Sequence, residues 1–178
     1  IAYADGKIEH KGQFLDATPG SFPNYSFVRA LRDQLEGDKG TIFRWSNHEN
    51  TVLREIDRQL EEDLNPPPDK ESLQDFIHWI TEDSRSSRIG DRSMVDLCKI
   101  AERYYFHPNT NGSSSIKKVL PAVMSSSVIL KQKYSNASYG TVNGIPSLNF
   151  TNWTWWRSDG SHVTDPYSLL PAVFDDLP

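Results

Sequence analysis

Apolar residues recur at helical spacing along much of the chain, and the breaks between these stretches fall at Pro, Gly and Asn clusters. Phe27, Val28, Leu31 and Leu35 share one helix face, with Asn24 placed to cap its start and Gly37 to end it. Val52, Leu53, Ile56 and Leu60 form a second face opposite Arg54, Glu55, Asp57 and Arg58, and Asn65-Pro66-Pro67-Pro68 stops that helix. Leu73, Phe76, Ile77 and Ile80 predict a third, shorter one. A helix from Asp96 through Ile100 and Ala101 reaches Tyr104-Tyr105-Phe106 and stops at His107-Pro108. Gly112 to Ser115 then caps Ile116 to Leu120, with Pro121 kinking or ending it, and a last helix is expected over 127–133.

Strand patterns are shorter. Residues 1–15 alternate around Asp5-Gly6, a strong turn signal, and read as a hairpin. Thr41-Ile42-Phe43 has the content of a short buried strand that runs to Trp45 and directly into the second helix. The polar stretch Ser84 to Arg92 reads as a mobile connection to Met94-Val95-Asp96. From Ser125 onward periodicity weakens, with Trp153, Trp155 and Trp156 in an irregular, aromatic-rich region. The order is α/β. It predicts a mixed sheet containing 41–45, with the 1–15 hairpin antiparallel beside it.

Length and charge narrow the possibilities. A chain of 178 residues fits one domain, here a core over 1–135 and an aromatic-rich insertion or extension over 136–178. Its net charge of -5 argues against holding duplex nucleic acid by bulk electrostatics. An acidic site that recruits divalent cations is compatible with it. The lone cysteine, Cys98, sits in an amphipathic stretch and reads as core packing. No stretch approaches the roughly 20 apolar residues of a membrane span. With no basic, apolar leader, the cytoplasm is the default compartment, and the five Asn-X-Ser/Thr sequons read as coincidence in an Asn/Ser-rich sequence.

The candidate chemistry gathers where the 41–45 strand meets its helix. Ser46 or Asn47 can cap that helix, which leaves Glu49 in the first turn, where free amides and the helix dipole favour a negative charge. Ordinary capping chemistry also explains a first-turn Glu, and on the local sequence alone is the simpler account. Trp45 and His48 flank it and could stack on a terminal base, and each could equally be a packing or surface residue. Asp96 either faces a site from a sheet edge or caps the helix beginning at Leu97. Lys117 and Lys118, behind the Ser-rich helix start, suit a phosphate grip or a solvated face. Nothing resembles a Walker loop, a zinc knuckle or a Ser-His-Asp order.

Three blocks together resemble a known family: Gly6 to Leu15, Arg44 to Leu53, and Met94-Val95-Asp96-Leu97 through Tyr104-Tyr105-Phe106-His107-Pro108 to Pro121. They are similar to an uncharacterised bacterial domain of unknown function grouped with the ribonuclease H-like, DnaQ-type DEDD 3′–5′ exonucleases, over roughly residues 1–135. The resemblance implies a ribonuclease H-like fold and hydrolysis of nucleic-acid phosphodiesters with Mg²⁺ or Mn²⁺, acting on a single-stranded DNA or RNA end. It implies a metal-ligand and catalytic role for Glu49; Asp96 as a further catalytic candidate, and Trp45, Asn47, His48, Lys117 and Lys118 as substrate contacts, rest on the reading of the residues themselves. It also places an Asp-X-Glu strand before Ile1 and an acid-bearing helix after Pro178, so that the chain reads as a segment of a longer polypeptide. Two rival expectations stand beside it: a catalytically inactive binding or interaction module of the same fold, and a metal-dependent hydrolase built around Asp159, Asp165 and Asp175.

Overall fold

A computed structural model describes residues 1–160 and 162–171; Asp175 and its neighbours lie outside the described residues. The fold is mixed α/β, with six helices and two small two-stranded sheets among the described residues. The chain divides into two compact units, one over Gly12–Arg103 and one made of Ile1–Lys11 and the chain from Tyr104 onward.

The 12–103 unit is built on three helices, α1 (Asn24–Leu35), α2 (His48–Glu62) and α3 (Lys70–Ile80). Their apolar stripes meet in one cluster that buries Val28, Leu53, Ile56, Leu60, Leu73, Phe76, Ile77 and Ile80. Full burial of such a side chain stabilises by about 1.5–3 kcal/mol, so this cluster is the main source of cohesion in the unit. Val52 lies outside the stripe and is exposed. Asn24 sits inside the first turn of α1 with Pro23 at the N-cap, and its side-chain amide donates instead to Gln59 Oε1 on α2 at 2.7 Å.

Short strands hold the edge of this helical layer. β1 (Phe43–Arg44) pairs in parallel with β4 (Val95–Asp96), Phe43 opposite Val95 and Arg44 opposite Asp96. β2 (Glu82–Asp83) and β3 (Arg88–Ile89) form an antiparallel hairpin across the stretch read as a mobile connection. Asp83 orders that turn: its Oδ1 accepts from the Arg85 amide at 3.0 Å and its Oδ2 from Ser86 Oγ at 2.7 Å. These bonds and Arg54 beside it hold the Asp83 carboxyl below the usual carboxylate range. Gly90 follows the hairpin because its Cα passes the end of α3 so closely that a Cβ would sit 2.2 Å from the His78 carbonyl oxygen. Arg92 then fastens the connection to the C-terminal side of α1, bonding the carbonyls of Leu35 and Gly40 and stacking over Trp79.

The buried-strand reading of 41–45 is corrected in two ways. The strand is only two residues long among the described residues, and its faces are inverted: Phe43 is 58% exposed while Arg44 is 5% exposed. The physical reason is that Arg44 finds carboxylate and amide partners beneath the sheet, which outweighs the alternation of apolar residues. Nor does the hairpin at the start of the chain join this sheet. It is a tight turn with a single antiparallel bridge, Ala2 to Ile8, around Gly6 at φ +85°, and it belongs to the other unit.

That second unit gathers α5 (Ile116–Ser126), α6 (Val128–Tyr134) and an irregular aromatic segment. It follows α4 (Leu97–Tyr104), of which Ala101 is the buried residue while Cys98 is only half-buried, not a core side chain. Pro121 stands inside α5 without ending it, because Val119, Ala122 and Met124 stay buried on either side of it. Ser127 caps α6 by accepting from the Leu130 amide at 3.2 Å. Trp156 ties both helices together, its Nε1 donating to the Met124 carbonyl at 3.0 Å and its amide to Tyr134 at 2.8 Å. Tyr139, Phe150, Trp153 and Trp155 pack as one ring cluster with centroids 5.1–6.1 Å apart. No helix among the described residues is long and apolar enough to cross a membrane.

Candidate functional site

The carboxyl ends of the parallel β1/β4 pair lie on one edge, and each strand there turns straight into a helix: β1 through Trp45-Ser46-Asn47 into α2, β4 directly into α4. Asp96 organises this edge. Its Oδ1 accepts from the amides of Ser46 at 3.0 Å, Cys98 at 2.9 Å and Lys99 at 3.4 Å, so one carboxylate caps α4 and pins the turn that launches α2. Ser46 is left-handed there, φ +75°, a conformation costly for a residue with a Cβ and sustained by that bond.

Beneath the turn lies Arg44, whose Nη1 donates to Asn47 Oδ1 at 2.8 Å and whose Nη2 donates to Glu82 Oε1 at 2.6 Å. Asp96 Oδ2 is 3.9 Å from the same Nη2. The buried Arg44 Nε has no acceptor. Asn50 completes the frame by a two-way clamp on the Glu82 backbone, donating to its carbonyl and accepting from its amide, both at 2.9 Å. A polar crevice of about 580 Å³ opens beside this frame, lined by Asn47, Asn50, Glu82, Ser84, Arg88 and Lys99 among others. Lys99 Nζ lies 3.7 Å from Glu82 Oε1 and is largely exposed.

The expected residues fall into four groups. Asn47 lines the crevice, and Trp45 and His48 stand on the same turn, Trp45 half-buried and His48 exposed. Glu49 is exposed in the first turn of α2, one residue before the clamp Asn50. Asp96 is buried and committed to three backbone amides, the helix-capping role weighed for it from the sequence. Lys117 and Lys118 are exposed at the start of α5 in the other unit. Arg44, Asn50 and Glu82 carry no local signal beyond one: an Arg inside an apolar run must either face water or be paired.

A second polar cluster continues along α2. Asp57 accepts from Arg54 at 2.9 Å and from Gln74 at 3.1 Å, and His78 Nε2 lies 3.0 Å from its Oδ2. Arg88 Nη1 is 3.0 Å from His78 Nδ1. A guanidinium can only donate, so Nδ1 accepts and Nε2–H donates to Asp57. With both ring nitrogens engaged, His78 is a connector between α2, α3 and the hairpin, not a free base.

Whether these residues fit a two-metal centre is decided by the carboxylates. Such a centre needs several converging acids, and among the described residues no group of three His, Cys, Asp or Glu could hold a metal ion. Asp96 has its Oδ1 filled by amides and its Oδ2 facing Arg44. The described residues therefore do not by themselves form that centre.

Fold and crevice define an α/β protein with a polar site at the carboxyl ends of a parallel strand pair. A family model described as a domain of unknown function, DUF2779, matches residues 1–115, well over half of the 178. The chain belongs to this family. Its description assigns no activity, and no curated protein and no solved structure matches the chain.

Proposed function

We propose that the chain is the strand-end-binding part of a ribonuclease H-like 3′–5′ exonuclease, handling single-stranded DNA or RNA in the crevice beside β1 and β4. The observation that carries the reading is the placement of that crevice outside the carboxyl ends of parallel strands, where open α/β sheets bind their ligands. Lys99 and Arg88 supply positive charge on its wall, and the Trp45 to His48 turn brings aromatic and amide groups to its mouth. Glu49, in the turn that follows, is the residue we assign to a divalent cation. The described residues do not by themselves complete a metal centre for hydrolysis.

The test is fluorescence anisotropy of a labelled oligo-dT and oligo-U with the chain, alongside Mn²⁺-induced broadening of its NMR signals. Binding with a Kd of about 10⁻⁴–10⁻⁶ M, the range of unspecific contacts, is expected to weaken several-fold in Lys99→Glu. Glu49→Ala is expected to leave this metal-free binding intact and to remove Mn²⁺ broadening around the α2 start. Binding that is absent, or untouched by Lys99→Glu, overturns the reading. One observation favours the rival, an inactive module of the same fold: the carboxylate of Asp96 is used up in holding the backbone. Unchanged oligonucleotide binding together with unchanged Mn²⁺ broadening in Glu49→Ala would select that rival.

A further inference from the structure

The second unit contains a pocket of about 400 Å³ that the crevice chemistry leaves unused. Leu120 and Met124 of α5 and Leu130 of α6 form one side, and Trp155, Tyr139 and Leu170 close others. Its lining side chains are apolar or aromatic, with polar atoms only on Tyr134, Tyr139, Tyr167, Trp155 and the Met124 thioether among the described residues. The wall is stiff, since Trp155 is held at 5.9 Å from Tyr139 and 5.1 Å from Phe150. Next to Leu130 on the same helix, Val128 and Ile129 are 67% and 75% exposed.

Around it stand lysines, each over an aromatic ring of the wall or its neighbour. Lys117 Nζ is 5.9 Å from the Tyr167 ring centre, Lys133 Nζ 5.7 Å from that of Tyr134, and Lys131 Nζ 4.9 Å from that of Trp156. Over 104–171 the sequence has five Lys or Arg against two Asp, in a chain whose net charge is -5. One of those acids, Asp165, is engaged with the Tyr167 amide at 3.0 Å. The rim is therefore locally cationic and the floor apolar.

We propose that this pocket docks an acidic amphipathic peptide segment of a partner protein, its apolar side chains in the pocket and its carboxylates against Lys117, Lys131 and Lys133. Charge complementarity selects acid on the partner, and the floor selects apolar anchors spaced as on one helix face. A nucleobase fits less well. Its ring nitrogens and carbonyls would be buried in a pocket offering few hydrogen-bond partners, at a cost of a few kcal/mol for each unpaired group. This proposal concerns the second unit and stands apart from the nuclease reading.

The experiment titrates the chain into a fluorescein-labelled peptide of about 12 residues, Leu and Phe at i, i+3, i+4 and i+7 with Glu elsewhere. A counterpart has Lys in place of each Glu. Saturable binding of the acidic peptide is expected, at least about tenfold weaker for the Lys counterpart and for the Lys117→Glu/Lys131→Glu/Lys133→Glu variant, and reduced by salt. Circular dichroism checks the fold of that variant, in which Lys117 and Lys131 are exposed and Lys133 is half-buried. Equal binding of both peptides, or none, overturns the proposal. So does oligo-dT competing with the peptide for the same three lysines, which would make this a nucleic-acid surface. Self-association of the chain that the triple variant abolishes would give the pocket to a second copy, and also overturns it.

Discussion

Replacing Asp96 by Ala separates the two roles its position suggests. The side chain makes three backbone contacts through Oδ1, two to the start of α4 and one to Ser46. Loss of a helix cap costs about 1 kcal/mol. A hydrogen bond to an ionised acceptor is worth about 1.5–3 kcal/mol, and the Ser46 contact falls at the lower end because that residue is exposed and water can replace the carboxylate. The buried Arg44 guanidinium also loses the second of its carboxylate neighbours, farther than Glu82 but itself buried, which adds to the cost. Together these give about 3 kcal/mol. With a urea m value of roughly 2 kcal/mol/M, the unfolding midpoint followed by circular dichroism should drop by about 1.5 M. Asp96→Asn keeps an acceptor at Oδ1 and should lose less than half as much. If Asp96 instead served as a metal ligand free of structural duty, the alanine variant would keep its metal-free midpoint and lose only its response to Mn²⁺. A midpoint within about 0.3 M of wild type would refute the structural argument.

Other outcomes follow from the same frame. Tyr25, whose hydroxyl donates to Asp63 Oδ2 at 2.8 Å, has its phenol pushed up to about 12 by burial and by that carboxylate. A raised folded pKa stabilises fully below the unfolded value of about 10 and is lost as pH rises through about 12, so alkaline unfolding in that window should be blunted in Tyr25→Phe; an identical alkaline profile would count against it. Asn50→Ala removes both bonds to the Glu82 backbone and should cost about 2–3 kcal/mol in urea unfolding, with a loss under about 0.5 kcal/mol contradicting the clamp. Gly90→Ala should destabilise by about 1–3 kcal/mol, because the new Cβ meets backbone carbonyls that cannot yield. A gain of about 0.4–1 kcal/mol, the usual unfolded-state benefit of Gly→Ala, would show that the backbone relaxes freely.

The helices were legible because their cores are written at local spacing. Leu53, Ile56 and Leu60 on α2 and Leu73, Phe76, Ile77 and Ile80 on α3 all enter the buried cluster expected of them. The strand before α2 misled for the opposite reason. A two-residue strand has no periodicity of its own, so the inward turn of Arg44 depends on Glu82 and Asp96, respectively 38 and 52 positions later. The Ser84 to Arg92 stretch looked like a loop by composition, yet Asp83 and Ser86 make its polarity a turn device within a hairpin. At the site, the launching turn and its Glu49 were visible from caps and spacing. The Asn50 clamp was not, since a polar residue in a helix's first turn looks the same whether it faces water or a distant backbone.

That distance dependence also explains how the edge can be both rigid and open. Every group that fixes its geometry points inward: Asp96 onto amides, Arg44 onto Glu82 and Asn47, Asn50 onto the Glu82 backbone. Each is buried and largely saturated, which suits it to hold shape and disqualifies it from binding anything arriving from solution. The groups left facing outward are a different set, Lys99 on the crevice wall and His48 and Glu49 on the first turn of α2. A ligand bound at this edge as proposed would meet exposed charge carried on a buried, hydrogen-bonded frame, an arrangement that limits the binding energy spent on ordering the protein. The frame and the contact residues interleave in sequence, Arg44 and Asn50 with Asn47, His48 and Glu49, and a change at one set is expected to read out as stability and at the other as affinity.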